Sequence, residues 1–499
     1  MLHKHKGLFS VLGIIIVGLL LFLIFPSSDH WQLSIPEIGS ASSPRAIDLN
    51  QDGILDIVLG GGGKEFASTE YGVIAIDGKD GSLLWHKSAR NQIVGSALFK
   101  DINQDGIPDV IIGGRSAVLY ALDGRNGSLL WEFLPDYEGM DALNDTTILN
   151  FFNPQLIPDA DHDQLEDILI AYGGFVKAHP AQRDRPSGSL MVISSRDGKL
   201  LAKAKMPDGR ETYMSPLVYD FEGKRKLEVI FGTGGETIGG YLYRIALQNI
   251  LDGDLSAALP LASDREKGFI APPVLADVNL DGIKDIVANA VNGRMLCIDG
   301  KTNQKIWDTT IGWDYEGYAM PAPGFFVNDD SIPDFFGCFG YGAWPNTLFA
   351  VNVLVDGRDG QIVFKDTVGT FQYASPLVFD FTRDGFEDVL VSANIPIKDS
   401  QGNILYPYGN QMKVFDVKEG EVLTFDEEKL GSNLGSTPLL TDLDGDGKLD
   451  IISCYMADAE NFYSFKELKI ERRELDLPLI APIPWGAYMG SDFSAVWQK

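Results

Sequence analysis

The sequence predicts an all-β protein, an eight-bladed β-propeller of four-stranded antiparallel blades, preceded by one N-terminal transmembrane helix. Three observations lead to this prediction. A nine-residue acidic motif recurs along the chain, strand and tight-turn patterns fill the intervals, and one long apolar run stands near the N-terminus. Internal repetition of this kind determines the whole fold.

The apolar run extends from Leu8 to Phe25 and follows two lysines. As a helix, it nearly crosses a hydrocarbon core of about 30 Å. Basic residues before the span place the N-terminus in the cytoplasm. We expect a cytoplasmic segment at residues 1–7, a signal anchor at residues 8–25, and a propeller in the periplasm or at the cell surface at residues 26–499. The alternative is a cleaved signal peptide and a secreted protein.

The acidic motif first occurs as DLNQDGILD at residues 48–56. Intact copies follow at residues 101–109, 159–167, 277–285, 380–388 and 442–450, and eroded copies stand at residues 220–228 and 326–334. The copies begin about 56 residues apart, which predicts that each marks one structural unit.

Each unit has the same internal order of patterns. A small residue, often proline, opens a short apolar strand, and the acidic loop leads to a β-rich run that ends in glycine. A third strand, a tight turn and a last strand follow, as in VIAIDGKDGSLLWHKS at residues 73–88. The turn residues Gly, Asn and Asp accept the positive φ that such hairpins require. Four strands repeated radially predict a propeller with eight blades.

The ends of the chain bear on how the ring closes. The segment HWQLSIP at residues 30–36 is similar to the last strand of a unit. We expect it to complete the eighth blade, which would hide two exposed sheet edges. The tail from about Glu474 to Lys499 supplies that strand instead, or packs beneath the ring.

The intact acidic loops predict calcium sites. Side-chain oxygens at motif positions 1, 3, 5 and 9, with a backbone carbonyl at position 7, suit the six to eight oxygen ligands of Ca²⁺, and Mg²⁺ is the second choice. The candidate ligands are Asp48, Asn50, Asp52, Asp56, Asp101, Asn103, Asp105, Asp109, Asp159, Asp161, Asp163, Asp167, Asp277, Asn279, Asp281, Asp285, Asp380, Thr382, Asp384, Asp388, Asp442, Asp444, Asp446 and Asp450.

The alternative for these loops is a metal-free Asx-turn that caps a hairpin. So many aspartates in close groups would repel one another without a cation. We therefore expect structural calcium in at least four of the six intact loops. The eroded copies lose ligands, because Lys224 replaces one oxygen donor and Phe326 another, and the unit with Lys224 is expected to be metal-free.

Two resemblances follow from these motifs. The D-x-[DN]-x-D-G-x-x-D loop resembles the FG-GAP (VCBS-like) repeat of integrin α-subunit propellers and their bacterial relatives. The spacing Ala75-x-Asp77…Gly81…Trp85 resembles the quinoprotein (PQQ-like) repeat of eight-bladed propellers, and Ala121, Asp123, Gly127 and Trp131 repeat it. The first resemblance implies a calcium-loop propeller, and the second implies eight blades.

Several function classes are disfavoured. The formal charge of −29 argues against nucleic acid as a partner. The chain lacks the adjacent cysteine pair of quinoprotein dehydrogenases and a C-x-x-C-H haem motif, so we expect neither PQQ nor haem. No pair of residues is evidently placed to abstract a proton, so no catalytic residue is assigned.

The resemblance implies that the acidic loops lie on one face of the ring and that the inter-blade segments lie on the other. Irregular segments rich in aromatic residues belong to this second face. The ligand candidates there are Tyr137, Glu138, Trp313, Tyr315, Tyr318, Tyr341 and Trp344. Exposed aromatic residues on rigidly mounted loops suit protein or glycan recognition. The alternative is that these side chains pack against neighbouring loops.

These observations predict a membrane-anchored, extracytoplasmic, calcium-binding propeller. It would act without catalysis, as a binding, adhesion or scaffold module for an extracellular or envelope protein or a glycan. The alternatives are a calcium-dependent polysaccharide lyase and a quinoprotein-like oxidoreductase.

Overall fold

The repeat units fold into eight separate antiparallel sheets arranged as a ring. The computed structural model describes residues 30–133, 149–175, 177–328 and 330–498. In seven sheets the four main strands lie side by side in chain order, and in the eighth the N-terminal strand β1 (His30–Pro36) lies beside β35 (Glu467–Pro478). The first strands of neighbouring blades contact one another and surround the axis. The predicted eight-bladed propeller of four-stranded blades is thus confirmed.

The blades are numbered from the first acidic motif. Blade 1 contains β2 (Arg45–Ile47), β3 (Asp56–Gly60), β4 (Thr69–Ile76) and β5 (Leu83–Ala89). Blade 2 contains β6 (Leu98–Lys100), β7 (Asp109–Gly113), β8 (Leu119–Leu122) and β9 (Leu129–Glu132). Blade 3 contains β11 (Gln155–Ile157), β12 (Asp167–Gly173), β13 (Ser189–Ile193) and β14 (Leu200–Lys205), with β10 (Asn150–Phe151) paired to β12. Blade 4 contains β15 (Leu217–Tyr219), β16 (Glu228–Gly232), β17 (Gly240–Ala246), helix α1 (Leu247–Leu251) and β18 (Leu259–Asp264).

The remaining blades follow the same order. Blade 5 contains β19 (Val274–Ala276), β20 (Asp285–Ala290), β21 (Arg294–Ile298) and β22 (Lys305–Thr310). Blade 6 contains β24 (Ala322–Gly324), β25 (Asp334–Tyr341), β26 (Phe349–Val355) and β27 (Ile362–Thr367), with β23 (Tyr315–Glu316) paired to β25. Blade 7 contains β28 (Leu377–Phe379), β29 (Asp388–Lys398), β30 (Ile404–Asp416) and β31 (Glu421–Thr424), with β32 (Lys429–Leu430) paired to β30. Blade 8 contains β33 (Leu439–Thr441), β34 (Lys448–Met456), β35 (Glu467–Pro478) and β1 (His30–Pro36).

The N-terminal strand closes the ring as predicted. Strand β1 pairs antiparallel with β35, with Trp31 opposite Arg472 and Pro36 opposite Glu467. The first described strand therefore completes the last blade and covers its outer edge. Joining an N-terminal strand and a C-terminal strand in one sheet holds the ring shut.

The C-terminal tail enters the axis instead of adding a strand. Val496 bridges to Leu275 of β19, and Trp485 bridges to Val378 of β28. Trp485 is 1% exposed and Trp497 is 5% exposed. The tail thus packs against the innermost strands of the ring and plugs the axis at the end nearest the acidic loops.

The same docking contact, repeated at four blade interfaces, explains the tryptophan repeat. The Trp85 indole N–H donates to the carbonyl of Gly124 in the next blade at 2.8 Å. A Cβ at Gly127, whose φ is +69°, would lie 2.5 Å from the Trp85 ring, so only glycine lets the ring pack this closely. Trp31, Trp131 and Trp307 donate in the same way to the next blade.

The second and third strands are buried on both faces because blades stack face to face. This explains continuous apolar runs such as DIVLG in β3, which is buried throughout. The three cysteines are free and buried within such strands. No helix in the described part of the chain is long and apolar enough to cross a membrane. The anchor predicted at residues 8–25 lies outside that part.

Candidate functional site

The acidic loops and the turns between third and fourth strands form one face of the ring, here called the loop face. Asp56, at motif position 9, links the two. Its carboxylate accepts the N–H of Leu49 at 2.8 Å and that of Gly78, in the turn, at 3.2 Å. Burial raises the pKa of Asp56 to about 6. The equivalent buried aspartates are Asp109, Asp167, Asp285, Asp334, Asp388 and Asp450.

The other loop carboxylates accept hydrogen bonds within their own loop. Asp48 accepts the N–H of Gln51 at 2.7 Å and that of Gly53 at 3.1 Å, and Asp52 accepts the N–H of Ile54 at 2.9 Å. The remaining intact loops repeat most of these bonds. Each loop is therefore an Asx-type turn whose backbone donors are satisfied by its own aspartates.

Cations from the same blade also approach the loops. In five blades the aspartate at motif position 5 pairs with a basic residue of the turn between the third and fourth strands. The pairs are Asp105–Arg125 (3.2 Å), Asp163–Arg196 (2.5 Å), Asp281–Lys301 (3.1 Å), Asp330–Arg358 and Asp384–Lys418 (3.0 Å). Part of the acidic charge is thus neutralised within the blade, although exposed pairs of this kind contribute only about 0–1 kcal/mol.

Two intact loops bring three carboxylates together as a metal ion would require. Within the described residues, three groups have ligand atoms within 4.8 Å of one another: Asp159, Asp161 and Asp167 in one loop, Asp442, Asp444 and Asp450 in the other, and Asp444 and Asp446 with Glu474 of β35. In the second group the Arg472 guanidinium already contacts Asp444 at 2.7 Å and Asp450 at 2.8 Å. The loop at residues 159–167 is therefore the better candidate metal centre.

The eroded copies carry groups that do not bind metal. The Lys224 ammonium lies 2.9 Å from Glu222 of the same loop. Phe326 is fully buried in the core beneath its loop. The expectation that the loop with Lys224 holds no metal stays a prediction.

An axial cavity of about 480 Å³ opens on the opposite face, here called the cavity face. Its wall is built from the inter-blade segments and from the loops between second and third strands. In seven blades a residue four positions before the first strand lines it: Ala41, Val94, Tyr213, Ile270, Tyr318, Tyr373 and Gly435. Phe152 lines it in blade 3, and Tyr488 of the C-terminal tail reaches it from the axis.

Aromatic rings dominate one wall of the axial cavity. Tyr373 stands between Tyr318 and Trp344, with ring centroids 4.6 Å apart in both pairs and interplanar angles of 88° and 74°. The Trp344 ring also meets Phe462 edge-on at 5.1 Å. Mutual packing holds these rings in fixed positions at the cavity surface.

Buried ion pairs support the same wall. Glu211 is 1% exposed, pairs with Arg185 at 2.6 Å, and accepts the Tyr213 hydroxyl at 3.2 Å. Glu316 is 3% exposed, pairs with Lys267, and accepts the Tyr318 hydroxyl at 2.9 Å. Buried carboxylates need such partners, because an unpaired buried charge is strongly destabilising.

Glu236 differs from these two glutamates. It lines the cavity from the loop between β16 and β17, and its side chain is open to the water of the cavity. Loss of hydration among the surrounding protein atoms, together with the charges of Glu316 and Glu211, raises its pKa to about 7 against the opposing effects of Lys267 and Arg185. A carboxyl group in this state binds a cation or exchanges a proton near neutral pH.

The structure places the aromatic residues predicted for this face in different environments. Tyr318 and Trp344 line the cavity. Tyr341 stacks on Phe349 at 4.7 Å and meets Tyr315 edge-on at 5.2 Å, so both tyrosines pack against neighbours. Trp313 is 76% exposed and is not among the residues that line the cavity. Tyr137 and Glu138 lie outside the described residues.

Sequence reasoning missed Glu211, Glu236, Tyr213 and Tyr373. A signal for the tyrosines was present, because Y-x-x-P precedes the first strand at residues 213–216, 318–321 and 373–376. Glu316 stands in a DYEG segment that occurs twice, and only the first copy, with Glu138, was selected. No sequence pattern marks Glu236, because only the path of the loop between β16 and β17 brings this residue to the cavity.

Comparison with known proteins supports the architecture. The family model described as outer membrane protein assembly factor BamB matches residues 31–332. That span includes the four docked tryptophans of the PQQ-like repeat. No curated protein sequence matches the chain significantly.

Three similar solved structures are enzymes of two kinds. A europium-containing methanol dehydrogenase is 11% identical, with 90% of this chain and 93% of that chain covered and a TM-score of 0.57. The quinohemoprotein alcohol dehydrogenase from Comamonas testosteroni is 12% identical, with 90% and 76% covered and a TM-score of 0.59. The exotype rhamnogalacturonan lyase YesX is 14% identical, with 88% and 75% covered and a TM-score of 0.52.

At these identities the solved structures show a shared fold and do not indicate a shared reaction. The family match is more specific, since it rests on the sequence of the repeat and covers more than half of the chain. The protein therefore belongs to the PQQ-type repeat family of the outer membrane protein assembly factor BamB.

Proposed function

We propose that the protein is a membrane-anchored, extracytoplasmic propeller that binds a partner in its axial cavity without catalysis. The observation that carries this proposal is the cavity itself, to which all eight blades contribute. Its volume of about 480 Å³ falls within the range of specific ligand sites. Aromatic walls with a few fixed polar groups suit a glycan or a projecting segment of a protein.

The family description supports an envelope role. The matching model is described as an outer membrane protein assembly factor. The predicted anchor at residues 8–25 would hold the propeller at a membrane and leave the cavity face available for a partner. A scaffold or adhesion role is consistent with this arrangement.

Calcium in the loops is part of the proposal, as the FG-GAP resemblance implies. The group of Asp159, Asp161 and Asp167 supports it best, because its three carboxylates converge and none of them forms an ion pair among the described residues. An ion there would neutralise the loop and fix the hairpin. The ion has a structural role in this proposal, on the face opposite the cavity.

The residues around the cavity do not fit the quinone for which the repeat is named. Pyrroloquinoline quinone carries three carboxylate groups, whereas this cavity presents Glu236 with Glu211 and Glu316 behind it. The free cysteines are buried in strands of different blades, so they form no adjacent pair over the cavity.

A carbohydrate-active enzyme is the second candidate, and Glu236 is the observation that favours it. A carboxyl group with a pKa of about 7 in a cavity is a candidate general acid or base. Such an enzyme would act on a glycan that reaches the axial cavity. Turnover therefore distinguishes the two candidates.

The test combines binding with an activity screen. The extracytoplasmic part would be presented to a glycan array and to envelope proteins from the same cells, and it would also be incubated with polyuronides. We expect binding without turnover, with Trp344→Ala at least tenfold weaker and Trp313→Ala unchanged, because only Trp344 lines the cavity. Equal binding by both variants, or cleavage of a polyuronide that is lost in Glu236→Gln, would reject the non-catalytic proposal.

A further inference from the structure

The charges around the axial cavity are unequally matched. Arg185 neutralises Glu211 and Lys267 neutralises Glu316, both through direct ion pairs. Glu236 forms neither an ion pair nor a hydrogen bond among the described residues. The cavity thus holds one negative side chain beyond those that its own cations contact directly.

Glu236 lines the same axial cavity as Tyr318, Tyr373 and Trp344. Burial raises the pKa of Tyr373 and of Tyr318, and in both cases the charge of Glu236 is the next largest cause. The carboxylate is therefore close enough to these two phenols to act on them electrostatically. The Tyr373 hydroxyl oxygen is buried without a hydrogen-bond partner in the described structure, so this wall also holds an unused polar group.

The arrangement suits an organic cation better than a metal ion. Among the described residues, Glu211, Glu236 and Glu316 do not form a group within 4.8 Å. An ammonium or guanidinium group needs no such convergence, since one carboxylate and nearby aromatic rings stabilise it. The Tyr373 ring meets Tyr318 at 88° and Trp344 at 74°, and steeply inclined aromatic rings of this kind recognise organic cations.

An anionic ligand would meet the opposite conditions. Glu236 would repel it, and the guanidinium of Arg185 and the ammonium of Lys267 are held in pairs with buried carboxylates. Releasing either cation would leave a buried glutamate unpaired, which is costly. A neutral ligand would leave the charge of Glu236 unused.

We propose that the axial cavity binds a small organic cation, an amine or a guanidine, with Glu236 as its charge partner and Tyr318, Tyr373 and Trp344 as its aromatic wall. This inference rests on the proposed function, in which the ligand enters this cavity. The cation is either a free small molecule or the side chain of a lysine or arginine in a partner protein. The recognised group is the same in both cases.

Protonation of Glu236 should make the affinity for a cation depend on pH. Glu316, Glu211, Lys267 and Arg185 face this carboxyl group, whose pKa lies near 7. A cation binds the ionised carboxylate, so its affinity rises with pH. Between pH 6 and pH 8 the ionised fraction grows about tenfold for a group with this pKa, and the affinity grows by the same factor.

Isothermal titration calorimetry at pH 8 tests the inference with agmatine and putrescine as free cations. A second arm uses a short peptide that has one central lysine and blocked ends. Succinate serves as the anionic control. We expect at least one cation to bind, to bind about tenfold more weakly at pH 6, and to lose at least tenfold in affinity in Glu236→Gln. Succinate should not bind.

The matched control is Trp313→Ala, whose ring lies on the same face but is not among the cavity-lining residues. It should bind like the unaltered protein. Binding of agmatine but not of the peptide identifies a free cation, and the reverse identifies a protein side chain. No binding in either arm, or equal affinity in Glu236→Gln, overturns the inference. The proposed function survives that outcome if a neutral glycan or a protein still binds in a Trp344-dependent manner.

Discussion

The two faces of the ring are built from the same repeat but use it in opposite ways. On the loop face, nearly identical motifs form nearly identical hydrogen bonds, and the position-9 carboxylates accept backbone N–H groups of their own blade. On the cavity face, equivalent positions hold different residues, from Ala41 to Tyr373, and ion pairs join separate segments. One face preserves the repeat, and the other departs from it.

This difference separates architecture from recognition. A structural feature that stabilises every blade must recur in every blade, so its residues can be found from the repeat period of the sequence. A ligand that sits on the axis meets all eight blades at once and need not share their symmetry. We therefore assign ligand binding to positions that depart from the repeat, such as Glu236. The four predictions below test the comparison, in order of decreasing expected effect.

Removing calcium should have the largest effect, and it should act on the loop face alone. At about one hundred times its dissociation constant, an ion stabilises each occupied site by about 2.7 kcal/mol. With at least four sites occupied, excess chelator should lower the melting temperature clearly, as measured by circular dichroism. Asp161→Asn should reduce the effect of the chelator. Asp444→Asn should reduce it less, since Arg472 already contacts that loop. An unchanged melting curve would contradict calcium binding.

Replacing one docked tryptophan should have the next largest effect on stability. Trp85→Ala removes a side chain that is 7% exposed and its hydrogen bond to Gly124. Large-to-small changes of this kind reduce the free energy of unfolding by about 3–5 kcal/mol. Trp313→Ala, at 76% exposure on the other face, should change it by less than about 0.5 kcal/mol. Chemical denaturation of both variants measures the difference, and similar losses would show that the docking contact is unimportant.

An aspartate at motif position 9 should contribute more to the free energy of unfolding than an aspartate at motif position 5. Asp285→Ala leaves the N–H groups of Val278 and Gly300 without their acceptor, at about 1–3 kcal/mol each. Asp281→Ala removes a half-exposed pair with Lys301 and should cost below about 1 kcal/mol in chelator. Urea denaturation in chelator compares them. Equal losses would mean that the buried link between loop and turn does not stabilise the blade.

The smallest effect is expected on the cavity face. The folded pKa of Glu236 is raised, so the folded protein holds this proton more tightly than the unfolded chain. Stability is therefore lost as pH rises from about 4.5 to about 7. Glu236→Gln should match the unaltered protein near pH 4 and be slightly more stable at pH 8. Because cavity water screens the carboxylate, the gain should be below about 1 kcal/mol. A loss at pH 8 would show that Glu236 stabilises the fold.

Prediction from sequence succeeded where the signal repeats. The eight blades, their four strands and the closing strand at residues 30–36 followed from the acidic motif and the turn pattern, and the structure confirms them. The tail allowed two interpretations, and it proved to plug the axis through Trp485 and Trp497. The position-9 aspartates were predicted only as metal ligands, which stays a prediction, and the structure shows that they are buried. Their bonds to the following turn were not foreseen, because that turn lies about 20 residues away in the chain.

The sequence by itself determined that this protein is a ring of eight equivalent sheets, because hydrophobic alternation, turn chemistry and a fixed repeat length act locally and identically in every unit. Only the tertiary structure decided which side chains share the axial cavity. Glu236, Tyr318, Tyr373 and Trp344 belong to three different blades, and ring closure brings them together. Their proximity depends on the sum of small rotations between blades, which no local pattern in the sequence encodes.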